Sequence, residues 1–548
     1  MPKRIYLLSL DALPYYLLAR FKKEWELKNF QKLEKQAGYA RGLVAPFPDA
    51  TTPPAHAGLF CGCPATEHNI ISFEVPEIIK GEVHPWKKVM GFDARRLKAE
   101  PLWVSFLKAR KKVLMLHFPL SVPVEPYCQE KLFGKDFSDR LIVIEAFSQK
   151  LAEEKVIQSE KPGRKVELAL SKKERIQISL PKRSGSELNL LPEKNAGVYL
   201  LRLNAPGSKS APIYFATGIN RIFSHPREIA KEYLENAGAF VAGGGAYSYW
   251  QGKFGKTIAQ GGEGEAERML AKTLELVGEH FFRAIKYSLE KIDFEVGFFY
   301  FPGIDTALHL FASWLEPEVE LEPKIREILE SIVKRMFIWA DKILGLFLEQ
   351  AGKDDLLVVV SDHGMASVFH TFYPNQVLLE RGYLVWEEKK SCPNLERSQA
   401  VYHQSNSGYI VINSRRRGGV VREEERTRLA ERIAREFENY RGKILKDIIL
   451  VEESGEIPFR GEIYLVPNYQ VGLSHKVEGK VFESGIFGGQ HHYWSESEPM
   501  QAILYLKGAG ISPGKNLGRR SYLELAKTIA GLCGIDPPKK AQKGPIRF

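Results

Sequence analysis

Five short runs in this chain are apolar without alternation: RIYLLSL (Arg4–Leu10), KVLMLH (Lys112–His117), VGFFYF (Val296–Phe301), LLVVVS (Leu356–Ser361) and AILYL (Ala502–Leu506). A strand with one face in water alternates apolar and polar residues; a strand buried on both faces does not. Such strands need cover on both sides. Helical patterns near Trp103–Lys111, Glu322–Ala351 and Tyr522–Cys533 supply it. The pattern predicts an α/β fold, with a mostly parallel central sheet and helices on both faces.

The spacing of these runs predicts a core in three pieces, residues 1–120, 290–370 and 485–548. Residues 120–290 are far more than a crossover needs. Within them Lys165–Ile219 alternates in strand fashion (VELALS, RIQISL, VYLLRL, PIYFAT), which reads as an inserted β-rich subdomain. It leads into a glycine-rich loop, Ala242–Lys256. This loop lacks the G-x4-G-K-[ST] phosphate-binding pattern and reads as a lid or a plain connection. Residues 370–485 hold one strong strand, Gly408–Asn413, and a charged helix, Glu423–Tyr440. They read as a second, α+β cap.

Chemistry-bearing residues stand where the apolar runs end. Asp11 follows the first run. Asp305 and His309, four apart, follow the third in PGIDTALH. Asp362 and His363 follow the fourth in SDHG, and His491 precedes the fifth in GGQHH. In open α/β sheets, ligand sites collect beyond the carboxyl ends of the strands. Another stretch, FPDATTPPAH (Phe47–His56), sets two threonines before two prolines. Proline is tolerated in the first turn of a helix, so Pro53 and Pro54 are expected as the first helical positions and Thr52 as the N-cap. The positive end of the helix dipole then favours an anion or an alkoxide there.

Imidazole with carboxylate suits zinc, and also manganese or iron. Six such ligands exceed one tetrahedral zinc and suffice for two ions. A metal pair ~4 Å apart stabilises the entering and leaving oxygens of an in-line displacement at phosphorus. A threonine hydroxyl beside them is a candidate nucleophile.

These residues carry a family resemblance. LSLDAL at Asp11, FPDATTPPAH at Thr52, GIDTALH at Asp305 and His309, VVVSDHGM at Asp362 and His363, and GGQHHYW at His491 resemble the alkaline phosphatase superfamily. Within it, Glu100-Pro-Leu-Trp103 followed by KVLMLHFP looks like the type I phosphodiesterase/nucleotide pyrophosphatase family. The resemblance covers roughly 1–120, 290–370 and 485–535. It implies one ion held by Asp305, His309 and His491, and a second held by Asp11, Asp362 and His363, with Thr52 attacking phosphorus. The family places its nucleophile four residues before the motif's histidine, here His56, which picks Thr52 over Thr51. It also implies an asparagine about twenty residues after the nucleophile; that alignment falls near Phe73, and Asn69 is the nearby candidate for substrate binding. The sulfatase motif C-x-P-x-R is absent. His56, His68, His370 and His492 have no assigned part and read as structural or outer ligand-supporting residues.

The expected activity is hydrolysis of phosphodiester or nucleotide pyrophosphate bonds in a small-molecule substrate. The alternatives are a phosphomonoesterase or phosphotransferase with the same metal pair, or a basic nucleic-acid-binding protein with a structural metal core. The formal charge of +11 favours anionic partners without choosing among them. No nucleic-acid-binding motif is present and the basic residues are spread along the chain. Five scattered cysteines argue against a disulfide framework. The N-terminal stretch MPKRIYLLSLDALPYYLL carries an acid in the middle of its apolar run and no small-residue cleavage site, and no stretch reaches the ~20 apolar residues that span a bilayer. A cytoplasmic protein is the expectation.

Overall fold

The unalternating runs lie side by side. Nine strands form one sheet: β1 (Ile5–Leu10), β2 (Gly38–Val44), β3 (Val113–Leu116), β4 (Leu141–Glu145), β5 (Phe223–His225), β6 (Val296–Phe301), β7 (Leu356–Val360), β8 (Ala502–Lys507) and β9 (Arg520–Ser521). Their order is β5-β4-β3-β6-β1-β7-β8-β2-β9. Pairs from β4 across to β7 are parallel, whereas β8 runs against β7 and β2, and β5 against β4. The structure is a computed structural model and describes residues 2–46, 48, 50–79, 82–128, 138–158, 163–183, 185–204, 211–403, 408–452, 461–491, 493, 495–508 and 510–548.

Successive residues of each central strand serve opposite faces, as the pleat requires. Tyr6, Leu8, Leu10, Phe299, Phe301, Leu357 and Val359 share a core with the helices α3 (Glu265–Lys291), α4 (Gly303–Phe311) and α5 (Pro323–Gln350). Ile5, Leu7, Val296, Phe298, Val358 and Val360 face the other way, against α1 (Thr52–Cys61), α2 (Leu102–Lys108) and α6 (Leu525–Cys533). Each fully buried Leu or Phe contributes roughly 1.5–3 kcal/mol. Two-sided cover is therefore what makes unalternating strands stable here.

Strands β4 and β5 and helix α3 fall within 120–290, so this segment contributes to the central sheet and one covering layer as well as to an insertion. Between β4 and β5 the alternating stretch forms strands. Lys165–Ala169 and Arg175–Ser179 form a hairpin, and Gly185–Leu191, Ala196–Arg202, Ile213–Ala216 and Lys155–Gln158 form a four-stranded sheet. The glycine-rich stretch is a packed connection. It holds a short helix, Ala246–Trp250, and Glu154 accepts hydrogen bonds from the amides of Gly245 and Ser248.

Residues 370–485 have their own core, with Phe372, Leu378, Ile410, Ile433, Phe437 and Leu465 among its members. A four-stranded sheet and the helix Arg426–Phe437 build it. This excursion leaves and re-enters the core through a narrow neck. Ala366–Ser367 pairs antiparallel with Gly489–Gln490, and the Ser313 hydroxyl accepts from the Val368 amide at 2.8 Å.

Candidate active site

Register brings the strand ends together. Ser9 lies opposite both Tyr300 and Val360, and Leu10 opposite Phe301. Asp11, the start of α4 and the Ser361–Asp362 turn therefore leave the sheet abreast. The Asp11 amide donates to Phe301 O at 3.0 Å. The Ser361 hydroxyl accepts from the Leu13 amide and donates to His363 O, both at 2.9 Å, which ties the β1 and β7 loops together. β8 is antiparallel, so the residues before it, including His491, reach this same edge. β2 ends there too, and the chain continues into α1 with Thr52 at its start.

The two threonines divide the work differently from the sequence expectation. Thr51 is the N-cap: its backbone is extended (φ −132°, ψ 155°) and its carbonyl accepts the first helical bond from the Ala55 amide at 2.9 Å. Thr52 is the first helical residue, not the cap. Its side chain is free of capping and Oγ1 lies 3.3 Å from His363 Nε2. The Ala55 amide is taken by Thr51 and is not available to an incoming phosphate.

Three imidazoles are latched by main-chain carbonyls. His309 Nδ1 donates to Gly489 O (2.9 Å), His363 Nδ1 to Gly364 O (3.0 Å) and His491 Nδ1 to Ala50 O (3.1 Å). A carbonyl can only accept, so each Nδ1 carries the proton, and in the neutral ring each Nε2 keeps a lone pair. This is how proteins prepare histidine to bind a metal. The rings of His363 and His491 stack at 4.0 Å, and His309 lies 5.0 Å from His491. Gly488 has φ +85°, and a Cβ there would stand 2.1 Å from His309 O, so only glycine lets this loop approach α4.

The carboxylates are oriented as well. Asp362 Oδ1 accepts from the Ala12 amide (3.2 Å) and the His363 amide (3.1 Å). Asp11 Oδ2 accepts from the Tyr300 hydroxyl. Their other oxygens, Asp11 Oδ1 and Asp362 Oδ2, are buried and accept no hydrogen bond among the described residues; each lies 3.4 Å from His363 Nε2. Asp362 and His363 are wholly buried, and Asp11 is 2% exposed. Burial, then the negative charges of Asp362 and Asp305, pushes the Asp11 carboxyl well above the usual carboxylate range. Burial lowers His309, but the Asp305 carboxylate, 3.2 Å from its Nε2, outweighs this and leaves it raised.

Bare buried carboxylate oxygens beside imidazole lone pairs fit a divalent cation. Two groups of ligand atoms each lie within 4.8 Å of one another: Asp305, His309 and His491, and Asp11, Asp305 and His363. The first is the set implied by the sequence. In the second, Asp305 stands with Asp11 and His363, so this residue faces both groups, with Asp362 Oδ2 alongside.

Asn69 is elsewhere in the network. It ends the short helix Ala65–His68 in a left-handed conformation (φ +68°), and its amide donates to Arg96 O at 3.4 Å. His68 accepts from the Ile70 amide and His370 pairs with Ser484; neither belongs to the ligand groups. His492 lies outside the described residues. Sequence reasoning missed Tyr300, hidden in the FYF run, and Ser361; the signal available was a hydroxyl at the last turn of a buried strand.

A sheet that delivers buried carboxylates, latched imidazoles and a threonine hydroxyl to one edge defines a hydrolytic enzyme of the α/β class. The chain belongs to the type I phosphodiesterase/nucleotide pyrophosphatase family, whose sequence profile matches residues 5–494, and it is a phosphodiesterase-type hydrolase. Comparison with curated proteins found no match. Among solved structures it is similar to murine ectonucleotide pyrophosphatase/phosphodiesterase 5, free and as an inactive form in complex with AMP. Each shows 12% identity over 100% of this chain and 98% of that one, with a TM-score of 0.49. The human counterpart shows 12% identity over 99% and 96%, with the same score.

Proposed function

We propose that this enzyme cleaves small phosphodiesters or nucleotide pyrophosphates with Thr52 as nucleophile and two divalent ions, zinc first among the candidates. The observation that carries it is Thr52, a residue 3% exposed whose hydroxyl lies 3.3 Å from His363 Nε2, the nitrogen that Asp11 Oδ1 and Asp362 Oδ2 each approach at 3.4 Å. Asp305, His309 and His491 would hold one ion, and Asp11, Asp362 and His363 the other. Bound ions would supply positive charge to the phosphoryl oxygens and to the threonine hydroxyl.

Thr52 Oγ1 forms a bond to phosphorus as the bond to the first alcohol or phosphate breaks; the hydroxyl proton leaves to solvent. A phosphoryl group then sits on Thr52. Water forms the new P–O bond, the Thr52 Oγ1–P bond breaks, and Thr52 recovers a proton. The positive end of the α1 dipole would favour the anion. All five cysteines are free thiols, which supports a reducing, cytoplasmic location.

The test compares bis(p-nitrophenyl) phosphate with p-nitrophenyl phosphate in zinc- and manganese-loaded protein. Preference for the diester is expected; preference for the monoester would move the enzyme to phosphatase chemistry. Thr52→Ala should keep fold and metal content yet lose at least ~10³-fold in turnover, roughly 4 kcal/mol. A near wild-type rate would refute the nucleophile.

A further inference from the structure

His56 is fully buried, and its ring is walled by Phe60, Phe118 and Tyr300 at centroid distances of 6.3, 5.4 and 5.7 Å. A hydrophobic side chain would fill such a place at lower cost than a polar ring. Yet both nitrogens are engaged. Nδ1 lies 2.8 Å from Thr52 O and 3.4 Å from Asp362 Oδ2; Nε2 lies 2.9 Å from Ser9 Oγ. The two groups facing Nδ1 are a carbonyl and a carboxylate, both acceptors. Nδ1 therefore carries the proton, Nε2 is the acceptor, and Ser9 donates to it.

One neutral ring thus joins three separate segments: the end of β1 through Ser9, the first turn of α1 through the Thr52 carbonyl, and the β7 loop through Asp362. The oxygen it faces on Asp362 is the one that accepts no hydrogen bond and points toward His363 Nε2. We infer that His56 is a positioning residue that sets Thr52 and Asp362 relative to each other, with Ser9 fixing the tautomer that lets it do so. The Nδ1–H anchors the nucleophile's own main chain, and its positive end holds the Asp362 carboxylate in its ligand orientation. His56 touches neither substrate nor ion; it acts through these two residues. The inference rests on the reading that Asp11, Asp362 and His363 hold an ion.

The experiment is a zinc titration of the full chain against a competing chelator, with binding stoichiometry and affinities read directly. Wild-type protein should bind two zinc ions. His56→Phe keeps the aromatic packing and removes the N–H. It should leave one site at wild-type affinity and weaken the other 10–100-fold, the usual effect of losing a ligand's supporting partner. His56→Gln, which restores a donor, should recover most of that loss. A packing role alone would leave His56→Phe with two unchanged sites, and Gln would then be no better than Phe; either result overturns the inference. Fewer than two zinc ions on the wild type would overturn the two-metal reading and this inference with it. A second measurement does not depend on any variant folding. In selectively labelled wild-type protein, the ring-nitrogen NMR shifts of His56 should report the neutral Nδ1–H form; the Nε2–H form would overturn the assignment.

Discussion

Tyr300→Phe removes one oxygen atom from the site and little else. The Tyr300 ring packs 5.7 Å from His56 and 6.0 Å from Phe147, contacts that phenylalanine retains. What goes is the hydrogen bond to Asp11 Oδ2. That bond leaves Oδ1 as the oxygen facing His363 Nε2. Hydrogen bonds to charged groups contribute ~1.5–3 kcal/mol net. Losing the partner of a metal ligand typically weakens affinity ~10–100-fold, which is ~1.4–2.7 kcal/mol. The two ranges agree, so one zinc affinity should fall about 10–100-fold at constant pH. The ion proposed at Asp305, His309 and His491 should be unaffected, because Gly489 O and Ala50 O hold those imidazoles instead. Chelator competition measures both affinities in one titration. Two affinities within twofold of wild type would refute the claim that Tyr300 orients Asp11. An equal fall at both sites would show that the hydroxyl supports the fold rather than one ligand.

Two further substitutions address the loop and the interior. Gly488→Ala puts a Cβ 2.1 Å from His309 O at φ +85°, so the loop must shift, at a cost of ~1–3 kcal/mol. Zinc content by elemental analysis should drop together with the denaturation midpoint; full zinc content would show that the Gly489 latch on His309 tolerates the shift. Burial pushes His280 down to about 3, against 6.5 for an ordinary imidazole. The unfolded chain takes up its proton near 6.5 and the folded chain does not until about 3. Stability from this group is therefore full above pH 6.5 and is lost as pH falls toward 3, at ~1.4 kcal/mol per pH unit. His280→Leu should flatten the fall of the denaturation midpoint between pH 6.5 and 5, and an unchanged slope would show that other groups carry it.

Much of this architecture was legible in the sequence because two-sided burial writes itself as unbroken apolar runs. In a parallel sheet, residues just past such runs share an edge, which is why Asp11, Asp305, Asp362 and His363 could be gathered without a structure. The strand Gly38–Val44 was not legible: GYARGLV has an exposed arginine and two glycines, and its pairing with β8 shifts register between Ala40 and Leu43. Nor were Leu141–Glu145 and Phe223–His225, which sit at the sheet's far edge on either side of an insertion. The assignment of cap and first helical residue between Thr51 and Thr52 turned on which carbonyl takes the Ala55 amide, and two identical letters do not say. The imidazole latches escaped for a deeper reason. Their acceptors are main-chain carbonyls of Ala50, Gly364 and Gly489, and a carbonyl has no letter of its own.

The closed neck at Ala366–Ser367 and Gly489–Gln490 has a consequence for how such a protein can change. His363 and His491 stand 128 positions apart, yet everything between the two pairing segments begins and ends at one clasp. The clasp fixes both ends of the excursion, so the spacing of the stacked imidazoles is set at the neck and not by the number of residues beyond it. New specificity can then be tried on the far side of the clasp while the chemistry is inherited intact.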